Sequence, residues 1–234
     1  MLFGMSNSQA QIFEVGPFIG GSNFIGDVGA TTYIRPNSPA IGLIGKWNRS
    51  LRHSWRATVI YSPLKADDAQ SNQERRKARG YQFTNNLLEL SAGMEFNFWE
   101  WDIYSSQTAV VPYLYTGISG FMASDFYKKP NQGQLEKKSG NKLGLAIPMT
   151  IGIKGRLSRS LTLSMEIGAR FTFSDNLDGS TPSEFGGKDI LDKQENSKED
   201  FYEFFGNQNS NDWYLFTGIS LTYNFGRKTC YDVY

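Results

Sequence analysis

Few side chains in this chain of 234 residues could carry acid–base or nucleophilic chemistry. The sequence holds a single histidine, His53, and a single cysteine, Cys230. Enzymes that cleave lipids or peptides place a histidine beside a serine or a carboxylate, and a cysteine-based zinc site needs several thiolates. The strand pattern described below places His53 in a short turn, where a solvated side chain is the simpler interpretation. The sequence therefore predicts no enzyme, no metal site and no cofactor.

Charged residues elsewhere offer two weaker candidates for binding. The run Glu74–Arg79 could pair with lipid phosphates, although a solvated loop is the alternative. Residues 189–205 carry acidic side chains at spacings that match no calcium-binding loop, and a short helix is predicted there. The 24 Lys and Arg residues nearly balance the 23 Asp and Glu residues, so no basic field for nucleic acid is expected.

Alternating hydrophobicity is the strongest structural signal in the chain. Within residues 142–156, every second side chain from Leu143 to Ile153 is apolar. Residues 161–173 repeat the pattern after a short turn, which predicts a hairpin of two strands. Six further segments alternate less cleanly: 12–20, 40–48, 55–62, 87–98, 112–122 and 212–225. The sequence therefore predicts eight strands, and the one around Tyr113 is the least regular because both of its faces are mixed.

The connections between these strands alternate in length. Three are shorter (48–53, 99–110 and 155–160), and four are long and polar (21–39, 63–83, 123–141 and 174–211). Such asymmetry is typical of a transmembrane β-barrel, with periplasmic turns at one end and extracellular loops at the other. Because no run of about 20 apolar residues exists, a helical membrane protein is excluded. The predicted fold is an all-β, eight-stranded antiparallel barrel in the outer membrane, with both termini in the periplasm.

The two faces of the predicted strands differ in polarity. The apolar faces end in aromatic residues such as Phe171 and Tyr223, which suits the two aromatic girdles of a membrane barrel. The opposite faces combine glycine with charged residues, whereas a soluble ligand-carrying barrel would be apolar inside. Eight strands leave a lumen that side chains can fill, so glycine makes room for long neighbours and an open pore is disfavoured.

Charges of both signs on the inner faces predict an internal ion-pair network, because an unpaired charge in a narrow lumen would be costly. A proton or ion path is the alternative. The predicted members of the network are Glu14, Arg56, Glu89, Glu95, Lys154, Glu166 and Arg170. Glu166 and Arg170 lie four residues apart on one strand, and each is expected to reach a partner on another strand.

The segments outside the predicted barrel, residues 11–225, suggest processing and docking. Residues 1–10 resemble the end of a signal peptide that is cleaved before Gln11, although an ordinary flexible terminus is the alternative. Residues 226–234 are expected to form a periplasmic tail. The turn Trp99-Glu100-Trp101-Asp102 could anchor the barrel at the membrane edge or dock a partner. The predicted partner-binding residues are Trp99, Glu100, Trp101, Asp102, Arg227, Lys228 and Tyr231.

Two segments resemble a known family. The stretches EVGPFIGGSNFIGDVG (14–29) and NDWYLFTGISLTYNFGRKTCY (211–231) are similar to the PorG-like outer-membrane barrels of Bacteroidota, which belong to the type IX secretion and gliding machinery. The resemblance spans both ends and the strand plan, and the long loops carry little of it. It implies a non-enzymatic barrel that tethers or organises a periplasmic ring built from a PorK-like lipoprotein and a PorN-like protein.

Two other functions remain as alternatives. An adhesion or small-ligand-binding barrel would act through its long extracellular loops, and the turns would then be irrelevant. A lipid-modifying enzyme would depend on His53, and this interpretation predicts a phenotype for His53→Ala. If the chain serves secretion, the contacts expected are the periplasmic ring proteins and outer-membrane lipid, without nucleic acid or a small-molecule substrate.

Overall fold

The strands of the chain follow one another around a closed antiparallel barrel, in which each strand pairs with the next and the last pairs with the first. The computed structural model describes residues 12–30, 32–80, 82–102, 110–128, 135–158, 160–173, 177 and 212–226. The strands are β1 (Ile12–Ile25), β2 (Ser38–Asn48), β3 (His53–Asp67), β4 (Gln82–Asn97), β5 (Val110–Lys128), β6 (Leu135–Ser158), β7 (Leu161–Thr172) and β8 (Trp213–Phe225). A 3-10 turn (Asp68–Gln70) and helix α1 (Glu74–Arg79) lie between β3 and β4. The predicted eight-stranded barrel is confirmed.

The two ends of the barrel differ in their connections. At what we call the turn end, β1 begins, β8 ends, and four residues (49–52) join β2 to β3. At the opposite loop end, residues 26–37 and 68–81 connect their strands. Phe13 of β1 pairs with Phe225 of β8. The first and last strands therefore close the barrel, and the start of β1 lies beside the end of β8 at the turn end.

Several strands continue further toward the loop end than the hydrophobic pattern indicates. The clearest case is the predicted loop 123–141, where β5 runs on to Lys128 and β6 already begins at Leu135. Backbone pairing continues through Lys128 opposite Leu135. Backbone hydrogen bonds need no apolar face, so a strand can continue where its side chains do not alternate in polarity. At the turn end, the sequence predicts His53 as the last residue of a turn, whereas the structure makes it the first residue of β3.

The outer face of the barrel is the apolar one. Along β3, Trp55, Val59 and Tyr61 are exposed, whereas Arg56 and Thr58 are buried. This arrangement inverts the usual rule for a protein folded in water. Within the described residues, no helix is long and apolar enough to cross a membrane.

Aromatic side chains gather in two belts on this outer face. At the turn end, the ring of Phe13 stacks on those of Trp47 and Phe225, with centroid distances of 6.4 and 5.8 Å. At the loop end, Trp213 stacks on Phe171 at 5.4 Å and contacts Tyr33 at 5.5 Å. The two belts bound a band of exposed aliphatic side chains.

The interior near the loop end is an apolar core, which the polar pattern of the inner faces does not predict. Phe18, Ile44 and Ile60 point inward although their outward neighbours are also apolar, so the alternation there is weak. We call this cluster the loop-end core, and its larger members are Phe18, Phe24, Val28, Ile44, Ile60, Leu64, Phe83, Leu87, Phe121, Leu177 and Phe216. The interior of the barrel is therefore apolar over much of its loop-end half, and most of its charged side chains lie toward the turn end.

Two buried carboxylates hold loop segments over the loop-end core. Asp68 accepts a hydrogen bond from the backbone N–H of Gly29 at 2.9 Å, and Asp212 accepts one from that of Leu177 at 2.9 Å. Gly29 has a φ of 88°, a conformation that glycine adopts without strain. A Cβ at this position would also lie 2.9 Å from the Cβ of Ala66. These contacts hold Gly29 and Leu177 over the loop-end core.

Candidate functional site

Glu95 is the centre of the charged half of the lumen. Its carboxylate lies 2.8 Å from Nζ of Lys46, 2.7 Å from Nζ of Lys154 and 3.6 Å from the guanidinium of Arg56. These four side chains come from β4, β2, β6 and β3, and all are buried. The alternation of each strand turns these residues inward, while neighbours such as Trp47 and Trp55 point outward. Buried charges are tolerated when each finds a partner in good geometry.

Arg56 links Glu95 to a second carboxylate across the lumen. Its two terminal nitrogens donate to Glu166 on β7 at 2.8 and 2.6 Å, in the two-pronged geometry that suits a guanidinium and a carboxylate. The hydroxyl of Tyr113 on β5 donates to the same carboxylate at 2.5 Å. β3 and β7 are not neighbours, so this contact ties opposite walls of the barrel together.

A third charged cluster lies next to the loop-end core. Nε of Arg170 donates to Glu89 at 3.2 Å, and the hydroxyl of Tyr214 donates to the same carboxylate at 2.6 Å. The guanidinium of Arg170 also lies 4.9 Å from the centre of the Phe216 ring. Arg170 and Glu166 thus have partners on other strands, as the sequence predicts.

Near the turn end, Glu14 is held by neutral donors. Asn48 donates to one carboxylate oxygen at 2.7 Å and Thr222 to the other at 2.9 Å. Among the described lumenal residues, the buried cations Lys46, Arg56, Lys154 and Arg170 equal in number the buried anions Glu14, Glu89, Glu95 and Glu166. The structure thus places all seven predicted network residues inside the barrel, and their formal charges balance once Lys46 is included.

Glycines provide the space that these long side chains occupy. A Cβ on Gly152 would lie 2.6 Å from Cζ of Tyr113, well inside van der Waals contact. Gly152 and Tyr113 are directly opposite each other on β6 and β5. This agrees with the expectation that glycine on the inner face makes room for large neighbours.

The network also contains Lys46, Tyr113, Tyr214 and Trp101, which are not among the seven predicted members. Lys46 follows the inward alternation of β2, so the pattern already contains its signal. Tyr113 lies opposite a glycine, and an aromatic residue on a glycine-rich inner face is a usable sign of a lumenal ring. Trp101 lies in a connection without periodicity, so no pattern indicates the direction of its side chain.

Trp101 requires a correction, because it is neither a membrane anchor nor an accessible docking residue. It is only 4% exposed, and its ring centre lies 5.2 Å from Nζ of Lys154. Its backbone N–H donates to the carbonyl of Leu51 at 2.9 Å, which fixes the β4–β5 connection against the β2–β3 turn. Trp101 therefore covers the charged half of the lumen at the turn end.

The other predicted docking residues have different surroundings. Trp99 is 61% exposed, and Glu100 forms a long, solvent-exposed ion pair with Arg52 at 3.9 Å. Asp102 is exposed, and its backbone carbonyl accepts a hydrogen bond from Arg156. The remaining predicted contacts, Arg227, Lys228 and Tyr231, lie outside the described residues, as do residues 1–10 and 189–205.

The described residues assemble no recognisable catalytic or metal-binding constellation. The imidazole of His53 is exposed, and its Nδ1 lies 3.3 Å from the hydroxyl of Ser50. No group of three His, Cys, Asp or Glu residues in the described ranges could hold a metal ion. A cavity between Asn23, Arg35 and Lys65 at the loop end measures about 10 Å³, which is space for one water molecule.

Comparisons with solved structures find barrels of similar topology. Ail, the attachment invasion locus protein of Yersinia pestis, aligns at 9% identity with a TM-score of 0.48, over 93% of this chain and 100% of that one. OprG, an outer membrane protein of Pseudomonas aeruginosa, aligns at 8% identity with a TM-score of 0.48, over 94% and 98%. A major outer membrane protein of Thermus thermophilus aligns at 14% identity with a TM-score of 0.47, over 93% and 100%. These likenesses concern the fold alone.

Comparison at the level of the sequence gives the family. Among curated proteins, none matches the chain. Residues 1–234 match the family described as a domain of unknown function, DUF6089. Because the match covers the whole sequence, this eight-stranded barrel belongs to the DUF6089 family.

Proposed function

We propose that this protein is a non-enzymatic barrel of the outer membrane that tethers or organises a periplasmic ring of the type IX secretion and gliding machinery. The ring partners on this proposal are the PorK-like lipoprotein and PorN-like protein implied by the resemblance of residues 14–29 and 211–231. The filled lumen carries the proposal. A barrel whose interior is occupied by an apolar core and a paired charge network acts through its ends or its outer face, and not as a channel.

The outer face supports a membrane location. Side chains such as Ile118 and Leu143 are 69% and 76% exposed, and they belong to an aliphatic band that encircles the barrel between the two aromatic belts. A soluble monomer rarely exposes contiguous apolar patches above a few hundred Å². A band of this kind with aromatic borders is the usual surface of an outer-membrane barrel.

The turn end supports docking of a partner. Leu51, Phe98, Trp99 and Leu157 all lie in or beside the turns and are 46–63% exposed. Tryptophan is among the residues enriched at the energetic hot spots of protein interfaces, which makes Trp99 the main candidate contact. On the proposed topology this end faces the periplasm, where a ring beneath the outer membrane would meet it.

The test is a pull-down of the tagged barrel from outer membranes in mild detergent, followed by mass spectrometry. We expect the ring lipoprotein to co-purify with the native chain, and its recovery to fall at least tenfold with Trp99→Ala combined with truncation after Gly226, since a hot-spot residue contributes about 2 kcal/mol or more. Phe173→Ala is the matched control, because Phe173 is an equally exposed aromatic residue, 67%, at the loop end. Heat-dependent gel mobility verifies that each barrel is folded.

Two outcomes would contradict the proposal. Unchanged recovery of the ring lipoprotein with the Trp99 and truncation variant would refute docking at the turn end. A native barrel that purifies alone would refute the tether itself. Binding that is lost when the connections at 68–81 or 174–211 are shortened would instead favour the adhesion or ligand-binding alternative.

A further inference from the structure

Three small residues lie side by side on the outer face near the turn end. Gly45 on β2 pairs with Ala57 on β3, which pairs with Ala92 on β4. All three point outward, because their neighbours Lys46, Arg56 and Gly93 face the lumen. A Cβ placed on Gly45 would meet no atom within 4 Å. The band of large aliphatic side chains is therefore interrupted here across three strands.

Large apolar side chains surround this depression on all sides. Toward the turn end lie Trp47, Trp55 and Met94, and one row toward the loop end lie Leu43, Val59 and Leu90. Val15 on β1 and Ile118 on β5 close its two flanks. A cavity of about 520 Å³ lies over the three small residues. Its apolar walls are Phe13, Val15, Trp47, Trp55 and Phe225, so it extends toward the turn-end aromatic belt. We call it the Gly45 depression.

The size of the Gly45 depression indicates what covers it. Its floor spans three strands about 4.8 Å apart, or roughly 14 Å, and two residues along each strand, or roughly 7 Å. The floor therefore has an area of about 100 Å². A stable protein interface buries about 800 Å² on each partner, so the depression is far too small to be one by itself. Its volume, however, lies within the range of about 300–1,000 Å³ that is usual for small-molecule sites.

The chemistry of the lining selects the occupant further. The charged residues that border the cavity, Glu14, Lys46 and Arg56, direct their side chains into the lumen, where their partners lie. Only hydrocarbon and aromatic rings therefore face the depression. It is continuous with the aliphatic band and lies just inside the turn-end aromatic belt, at the depth where the acyl chain of a lipid passes below its head group.

We propose that the Gly45 depression binds one acyl chain of a phospholipid from the membrane leaflet on the turn side. Trp47 and Trp55 would border the chain on the head-group side, and Leu43 and Val59 would border it deeper in the bilayer. This inference rests on the membrane location proposed above. It adds a specific lipid site to a surface that would otherwise contact lipid without preference.

Photo-crosslinking in vesicles tests the site. The barrel is reconstituted in phosphatidylcholine vesicles that contain a small fraction of phosphatidylethanolamine with a diazirine in mid-chain, and the labelled residues are mapped by mass spectrometry. We expect labels on 43–59 and 90–94 to exceed those on the outward residues of 143–151 by at least fivefold. Gly45→Leu fills the depression and should remove this excess.

Gly120→Leu is the matched control. Gly120 also points outward, and a Cβ added to it would meet no atom within 4 Å, but it lies on β5, outside the cavity lining. This variant should keep the native labelling. Uniform labelling around the native barrel, or an excess that survives Gly45→Leu, would overturn the proposal. A native dimer in mass spectrometry that Gly45→Leu dissociates would also overturn it, because a second copy would then cover the depression. A native chain that alkaline carbonate extracts from the vesicles would refute the membrane location instead.

Discussion

Arg56 offers the sharpest test of how the lumen is held together. Its guanidinium donates twice to Glu166 and lies 3.6 Å from Glu95, with all three side chains buried. Arg56→Met keeps much of the volume but takes both guanidinium hydrogen bonds from Glu166, while the hydroxyl of Tyr113 still donates to it. Removing one partner of a buried pair costs about 3–5 kcal/mol, because the other charge stays buried without compensation.

A double-mutant cycle separates the free-energy cost of the uncompensated Glu166 charge from the cost of lost packing. Adding Glu166→Gln to Arg56→Met removes the uncompensated charge, so the double variant should recover about 2 kcal/mol relative to the sum of the single changes. The assay is denaturant unfolding of the barrel in lipid vesicles, followed by tryptophan fluorescence and by heat-dependent gel mobility.

Arg52→Met is the matched control for this cycle. Arg52 pairs with Glu100 at 3.9 Å, and the two side chains are 50% and 66% exposed. An exposed pair of this kind contributes about 0–1 kcal/mol. If Arg56→Met proved as harmless as Arg52→Met, or if the double variant lost the full sum of the two single losses, the network would not stabilise the barrel as argued.

Two further predictions concern the space inside the barrel. Gly152→Val would force the ring of Tyr113 from its place beside Glu166. We expect the free energy of unfolding to fall by about 2 kcal/mol or more in the same assay. A variant with native stability and native fluorescence would contradict this prediction. Trp101→Ala would uncover the turn end of the lumen and cost about 3–5 kcal/mol. Faster hydrogen exchange near Lys154 should accompany that loss, and unchanged exchange would show that Trp101 is not the cover.

The outer face of this barrel could be predicted from the sequence, and the lumen only in part. The apolar band leaves a period of two along most of the strands, because outward positions require apolar side chains and inner positions accept other types. Which inner charges meet could not be derived, since Arg56 and Glu166 lie on strands that are not neighbours. The sequence does not predict the loop-end core either. Residues such as Ile44 and Ile60 are apolar and so are their outward neighbours, so the segment shows no alternation that would identify the inward side chains.

The direction of a side chain also cannot be predicted from the sequence where no strand fixes it. Trp99 and Trp101 are two residues apart, yet one is exposed and the other covers the lumen. In a strand, residues at this spacing would share a face, but in a connection the backbone turns freely between them. The docking prediction for this turn is therefore narrowed to Trp99 and its exposed neighbours.

On the membrane location proposed above, the uneven placement of the inner charges bears on how the barrel would enter a bilayer. A barrel that inserts from the side of its termini must carry its loop end through the hydrocarbon first. The loop-end core lowers the cost of dehydrating much of that leading half, which also contains the Arg170–Glu89 pair. Lys46, Arg56 and Lys154 lie in the trailing half, so they travel the shortest distance from water before their carboxylate partners close around them. On that proposed location, three of the four lumenal cations would be the last to leave water.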